Sequence, residues 1–201
     1  MTASPLWIQL SVSCACFVVG AIGWSLTEYS LHRWAGHPHK GSRGPMTREH
    51  LDHHRNPDYF TPWWRKLALA APVTAVLGPL GVTLLGMAPG LALLAGFVGA
   101  WLGYEWLHRR IHTVAPRNRY GDWARRHHLA HHFTSPQTNH GVTSPLWDHV
   151  FSTWREASAV RIPAKRLPIW LPAALAAGAR FVGGYTVVGR PAVGEAEAAA
   201  D

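Results

Sequence analysis

Ten of the fourteen histidines in this 201-residue chain fall into four groups: His32 and His37; His50, His53 and His54; His108 and His112; His128, His131 and His132. On a helix, positions three or four apart share a face. His50/His53/His54 and His128/His131/His132 therefore each present three imidazoles to one side, and His108/His112 form a further i,i+4 pair. At this histidine content a random His-x-x-His-His occurs roughly 0.07 times per chain, yet two are present. Imidazole nitrogen suits iron, zinc, copper and nickel. One ion takes about four to six ligands, so eight to ten histidines imply two ions.

A structural zinc site would draw more often on cysteine. The only cysteines, Cys14 and Cys16, sit together in the first apolar run and read as small buried side chains. Two redox-active ions, a position at a membrane edge and the absence of a His-Glu-x-x-His motif point to oxygen activation. Open positions on two irons, with zinc a substitute ion, would take O₂ and support hydrogen abstraction from an unactivated C–H bond. Such chemistry needs a dry cavity, and a pocket fed from the bilayer would supply both dryness and a lipid substrate. No separate protein acid or base is assigned.

Three acids stand near these groups. Glu28 precedes His32 by four residues and Glu105 precedes His108 by three. An intramembrane carboxylate is costly unless partnered; its natural role is to accept the free imidazole N–H and fix the ligand's tautomer. A water-exposed acid at a helix end is the plainer alternative. Asp148, in Leu-Trp-Asp-His, is a third candidate for the same supporting role. His39, His127, His140 and His149 read as surface or capping residues, with His127 and His140 lying beside the motifs.

The elements that must position these groups are apolar. Leu6 to about Leu31 contains Glu28 alone as a charge, and Leu67–Met87 and Gly90–Leu107 follow as a tight hairpin. Each run approaches or exceeds the ~20 residues that cross a bilayer core. Lys and Arg are missing from residues 1–32 and from 67–108. Arg33, Lys40, Arg43, Arg48, Arg55, Arg65, Lys66 and the cations from Arg109 onward flank the runs. The positive-inside rule places both polar segments in the cytoplasm and the amino terminus outside, with Trp7, Trp34, Trp63 and Trp64 at the boundaries. Every histidine group then lies at, or just beyond, the cytoplasmic end of a helix.

The expected fold is all-α and integral to the membrane, with about three transmembrane helices and a cytosolic histidine-rich helical cap. Residues 1–160 form one membrane-embedded domain. Residues 161–190 are an apolar, interfacial segment, with a fourth span over 167–188 as the alternative, because Pro168, Pro172 and Arg180 interrupt it. Residues 191–201 read as a frayed tail. The formal charge of +8 suits anionic headgroups better than nucleic acid, which has no need of long charge-free apolar runs. The chain also has a faint internal duplication. Glu28-Tyr29-x-x-His32 followed by His50-x-x-His53-His54 is echoed by Tyr104-Glu105-x-x-His108 followed by His128-x-x-His131-His132.

These residues resemble the fatty acid hydroxylase superfamily, which includes fatty-acid 2-hydroxylases, sterol desaturases and C4-methyl sterol oxidases. The matching pieces are Glu28–His37, Glu49–His54, Tyr104–His108 with His112, Arg126–His132, then Gly141–Asp148 and Val150–Thr153. The resemblance covers about residues 26 to 154. It implies a di-iron centre, O₂ as oxidant, a lipid substrate and an external electron donor. Because His37-Pro38-His39 is not the haem-binding His-Pro-Gly-Gly, that donor is expected to be a separate protein, cytochrome b5-like or a ferredoxin with its reductase. The implied activity is an oxidoreductase of lipid metabolism that hydroxylates or desaturates a fatty acyl chain. A carotenoid or sterol hydroxylase with the same centre is the alternative, since the short length is similar to that of beta-carotene hydroxylases. A histidine-rich membrane metal carrier is the alternative of another class, though its path would need ionisable residues at the span centres.

Overall fold

The structure, a computed structural model, describes residues 5–37 and 44–189. His39, Lys40, Arg43 and the tail 191–201 lie outside the described residues. The chain is mainly helical: α1 (Leu6–Ser30), which runs on into a π-helical turn (Leu31–Gly36), α2 (Pro45–Arg55), α3 (Trp63–Leu85), α4 (Met87–Thr113), α5 (Arg119–Phe133) and α6 (Leu146–Val150). Then come β1 (Val160–Pro163), a 3₁₀ turn (Ala164–Arg166), α7 (Leu171–Ala176) and β2 (Tyr185–Val188). The chain divides into two compact units, one from Met1–Glu28 and Thr61–Trp106, the other from Tyr29–Phe60 and Leu107–Asp201.

The first unit holds most of the apolar sequence. Leu6–Gly36, Trp63–Leu85 and Met87–Thr113 are long and apolar enough to cross a membrane. Their outward faces are greasy: Leu10, Phe17, Val19, Leu69, Val76 and Leu84 are all exposed. An apolar exterior of this extent suits lipid rather than water. Within the unit, α1 and α4 approach through small residues. A Cβ on Gly20 would lie 2.0 Å from the Leu93 carbonyl oxygen, and one on Gly96 1.9 Å from that of Phe17, a contact mode typical of membrane helices. Trp24 packs edge-on against Phe97 at 5.4 Å.

The hairpin between α3 and α4 is tighter than the sequence suggests. Gly86 alone separates the helices, with φ 87°, a conformation glycine adopts at little cost. Ala88 and Pro89 fall inside the first turn of α4, where proline's missing N–H is not needed. Cys14 is exposed and Cys16 is only partly covered, so neither is the buried side chain expected. The face of α1 that carries Cys14 is left open among the described residues.

The second unit has α5 at its heart. From Gly121 to His132 nearly every residue of α5 is buried, including Asp122, Arg125 and four histidines. A polar helix survives burial only when its polar groups find partners. Asn118 caps α5, its side chain accepting from the Gly121 amide at 2.7 Å, as N-cap residues do. Arg125 donates from Nε to the Val114 carbonyl at 2.7 Å, from Nη1 to Gly121 at 2.7 Å and from Nη2 to Arg110 at 2.8 Å. It thereby ties the end of α4 to α5.

The segment after residue 160 is ordered into a small parallel pair, Val160 opposite Tyr185, with α7 between the strands. Val160, Ile162, Trp170, Leu171 and Tyr185 are buried, and Trp170 Nε1 donates to the Ile111 carbonyl at 2.9 Å. α7 has six residues, far short of a span. Among the described residues, this two-stranded sheet departs from the all-helical cap expected. It arises because Val160, Ile162, Tyr185, Val187 and Val188 favour extended backbone.

Candidate metal centre

All ten clustered histidines belong to the second unit, and they converge in two nests of five. The first gathers His32, His37, His50, His54 and His131; the second gathers His53, His108, His112, His128 and His132. Within each nest one ring nitrogen from every residue lies within 4.8 Å of all the others.

The first nest is built from three elements. The π-helical turn at the end of α1 presents His32 and then His37. Helix α2 presents His50 and His54, and α5 presents His131. Thr47 Oγ1 donates to the Ala35 carbonyl at 2.8 Å, fastening α2 to the π turn. Gly36 permits the close approach, since a Cβ there would meet the His50 ring at 2.9 Å.

The Nε2 atoms of this nest are unusually crowded. His32 and His131 are 2.9 Å apart, His37 and His131 3.0 Å, His37 and His50 2.8 Å, His50 and His54 3.0 Å, and His54 and His131 3.1 Å. Two of these atoms carry no proton to share. His32 Nδ1 donates to the His140 carbonyl at 2.5 Å, and His131 Nδ1 donates to the Thr138 carbonyl at 2.8 Å. A carbonyl can only accept, so in both neutral rings the proton sits on Nδ1 and Nε2 is a bare lone pair. Two lone pairs at 2.9 Å repel unless a cation lies between them. Around a six-coordinate ion with bonds of ~2.1 Å, adjacent ligand atoms sit about 3.0 Å apart, whereas a tetrahedral site separates them by about 3.4 Å. The donor set fits a metal ion of more than four ligands.

The second nest repeats the pattern. His128 Nε2 lies 3.0 Å from His108 Nε2, 3.1 Å from His112 Nε2 and 3.0 Å from His132 Nε2. His53 joins them from α2, its Nδ1 donating to the Tyr59 carbonyl at 2.8 Å. Tyr59 is itself held by its hydroxyl, which donates to Glu49 at 2.6 Å. The nests adjoin where His54 and His132 stack at 4.1 Å.

Each His-x-x-His-His motif divides between the nests instead of serving one. His50 and His54, four apart, go to the first and His53 to the second; His128 and His132 go to the second and His131 to the first. Helical geometry accounts for the split. Adjacent residues are about 100° apart around a helix, so the final pair of each motif diverges and the middle histidine crosses over. The duplicated halves therefore exchange one imidazole each.

Burial, reinforced by neighbouring imidazoles, keeps these rings neutral. His37 is pushed down to about 4 by burial and His140. His54 is pushed down to about 3 by burial, then by His37, His53 and Arg166. The same causes hold His50, His128, His131 and His132 well below the ordinary histidine value. Neutral imidazole is the form that binds a metal.

The supporting acids are placed differently from one another. Asp148 is completely buried and, among the described residues, its hydrogen bonds go to no clustered imidazole. It accepts from the His140 amide at 2.8 Å, the Gly141 amide at 2.9 Å, Thr153 Oγ1 at 2.7 Å and His127 Nε2 at 3.2 Å. Burial alone would raise its pKa, but these bonds outweigh it and hold the carboxyl below the usual range. Glu105 accepts from Lys66 and, at 3.3 Å, from Trp101 Nε1. Glu28 is buried near the end of α1. His127 and His140 are buried too, which corrects their reading as surface residues, whereas His149 is exposed. Arg125 and the carbonyls of Tyr59, Thr138 and His140 escape a search for ligands, because backbone acceptors leave no mark on side-chain identity.

Known proteins agree with this architecture. The family described as "Fatty acid hydroxylase" matches residues 17–153. The chain is 29% identical to the Arabidopsis thaliana protein named dihydroceramide fatty acyl 2-hydroxylase FAH2, over 67% of this chain and 58% of that one. It is 28% identical to the Schizosaccharomyces pombe ceramide very long chain fatty acid hydroxylase scs7, covering 73% of this chain and 44% of the relative. Human fatty acid 2-hydroxylase is 28% identical, with 68% and 38% covered. The chain thus spans about half the length of these curated relatives. A solved structure titled "Full length scs7p (only hydroxylase domain visible)" superposes with a TM-score of 0.59 and 28% identity, over 74% of this chain and 58% of that one. The matched stretch holds α3, α4, the part of α1 from residue 17 onward and all ten clustered histidines, and the chain belongs to the fatty acid hydroxylase family.

Proposed function

We propose that this membrane protein is a lipid hydroxylase that inserts a hydroxyl group into a fatty acyl chain, using O₂ and electrons from a redox partner. The observation that supports it most is the pair of five-imidazole nests, the first with the lone pairs of His32 and His131 opposed as a shared cation would require. His32, His37, His50, His54 and His131 would hold one iron, and His53, His108, His112, His128 and His132 the other. Bound iron supplies the redox chemistry that activates O₂ toward an unactivated C–H bond. The protein's own part is to deliver neutral imidazoles, fix their orientation and keep the rings in a buried, water-poor setting. Glu28 and Glu105 would support the ends of α1 and α4, with Lys66 neutralising Glu105. The names of the relatives favour a ceramide-linked or free fatty acyl chain, attacked at its second carbon. The distribution of cations favours a cytoplasmic metal centre and an outside amino terminus.

The test is the lipid profile of a host expressing the wild-type chain or His128→Ala/His131→Ala, which removes a central imidazole from each nest. The wild type is expected to add an O₂-dependent hydroxylated acyl species that the variant lacks. Identical profiles, with no difference in bound iron, would overturn the proposal. Divalent-ion flux without an oxidised lipid would favour a carrier instead.

A further inference from the structure

The two nests are supported unequally. In the second, Nδ1 of His112, His128 and His132 is buried without a hydrogen-bond partner among the described residues. In the first, both central rings are fixed by one short segment, since the Thr138 and His140 carbonyls take the Nδ1 protons of His131 and His32.

That segment has no regular structure to hold it. It is held instead by two buried side chains and by the Asn139 amide, which donates to the Thr153 carbonyl at 2.9 Å. The Asp148 carboxylate takes the amides of His140 and Gly141. Asn139, in the left-handed region at φ 59°, donates from Nδ2 to the Arg155 carbonyl at 3.0 Å and accepts from the Arg155 amide at 2.7 Å. Asp148 also reaches the helix on the other side of the His32–His140 bond. Thr153 Oγ1 donates to Asp148, and Tyr29 OH lies 2.8 Å from Thr153 Oγ1, with Arg33 donating to Tyr29 at 2.8 Å. Both ends of the His32–His140 bond therefore depend on one carboxylate.

We propose that Asp148 is the positioning residue of the first nest. It clamps residues 138–141 so that their carbonyls set the tautomers of His32 and His131, and the second nest does not depend on it. This rests on the reading of both nests as metal sites. Losing an outer partner of a ligating histidine typically weakens metal binding by about 10–100-fold, and here the loss falls on one ion alone.

The experiment uses the full chain in detergent, stripped of metal and titrated with cobalt(II). Two backgrounds isolate the nests: His112→Ala leaves the first intact, and His54→Ala leaves the second. Asp148→Asn is expected to weaken cobalt(II) binding by about 10–100-fold in the His112→Ala background and by less than about twofold in the His54→Ala background. Equal weakening in both, or none in either, overturns the proposal. Asn139→Gly keeps the positive φ and removes only the second clamp. It is expected to show a smaller loss with the same selectivity, and it decides the matter if Asp148→Asn does not fold. A wild-type chain that takes up no cobalt(II) would overturn the metal-centre reading, and this role with it.

Discussion

The Nε2 atoms of His32 and His131 lie 2.9 Å apart, while the Nδ1 proton of each ring is already given to a backbone carbonyl. Neither nitrogen can donate to the other, and burial opposes adding a proton to His131. A pair of opposed lone pairs is a cost that folding would not retain without a cation to relieve it. The relation marks a site that could hold a cation through geometry alone, and it does so at the meeting point of two distant segments of the chain.

The crossed assignment of the His-x-x-His-His motifs gives the sharpest prediction. His54→Ala with His131→Ala removes two ligands from the same nest, so one iron per chain is expected to remain. His53→Ala with His54→Ala removes neighbours in sequence that serve different nests, and both ions are expected to weaken by tenfold or more. Metal analysis of the purified variants separates these outcomes. If the neighbouring pair costs a single ion and the distant pair costs both, the nests are wrongly drawn.

Acid is expected to unfold the metal-free chain in a window set by these histidines. Above pH 6.5, the ordinary histidine value, folded and unfolded rings are both neutral and stability is flat. Below it the unfolded chain takes up protons that buried His37 and His140 refuse until about pH 4 and His54 until about pH 3. Stability therefore falls as pH drops through this interval. Thermal melts of metal-free protein from pH 8 to pH 4 check it, and melts that rise on acidification would contradict it.

Arg125 is expected to matter for stability without touching a metal. Its guanidinium satisfies the carbonyls of Val114, Gly121 and Arg110. Arg125→Ala removes all three guanidinium bonds, strips the Val114 carbonyl of its donor and loosens α5 from the end of α4, at a cost of about 3 kcal/mol. Lysine reaches fewer of the three and should recover only part of that. Denaturant melts of both variants give the order, and an unchanged midpoint for Arg125→Ala would refute it.

Much of this was legible in the sequence because it depends on local periodicity. Charge-free runs mark the three apolar helices, and the histidine spacing marks the candidate ligands. What stayed hidden depends on contacts between distant segments. Each helix alone makes the final pair of its motif diverge, but which nest each histidine enters follows from how α2 faces α5, which no single helix encodes. The role of residues 138–141 resides in carbonyls, which every residue possesses. Asp148 stands out by type, but its partners are the His140 and Gly141 amides, Thr153 and His127 rather than a clustered imidazole. The 161–190 segment was ambiguous because Pro168, Pro172 and Arg180 break any span, while its pairing of Val160 with Tyr185 bridges residues far apart in the chain.

Under the proposed function, the two histidine nests serve to place an oxygen atom from O₂ into a lipid. Supplying isotopically heavy O₂ to a host expressing the chain, and weighing the hydroxylated acyl product by mass spectrometry, tests it most directly. One heavy oxygen atom is expected in the new hydroxyl group, and no labelled product with His128→Ala/His131→Ala. A hydroxyl drawn from water, or a labelled product that persists in that variant, would contradict it.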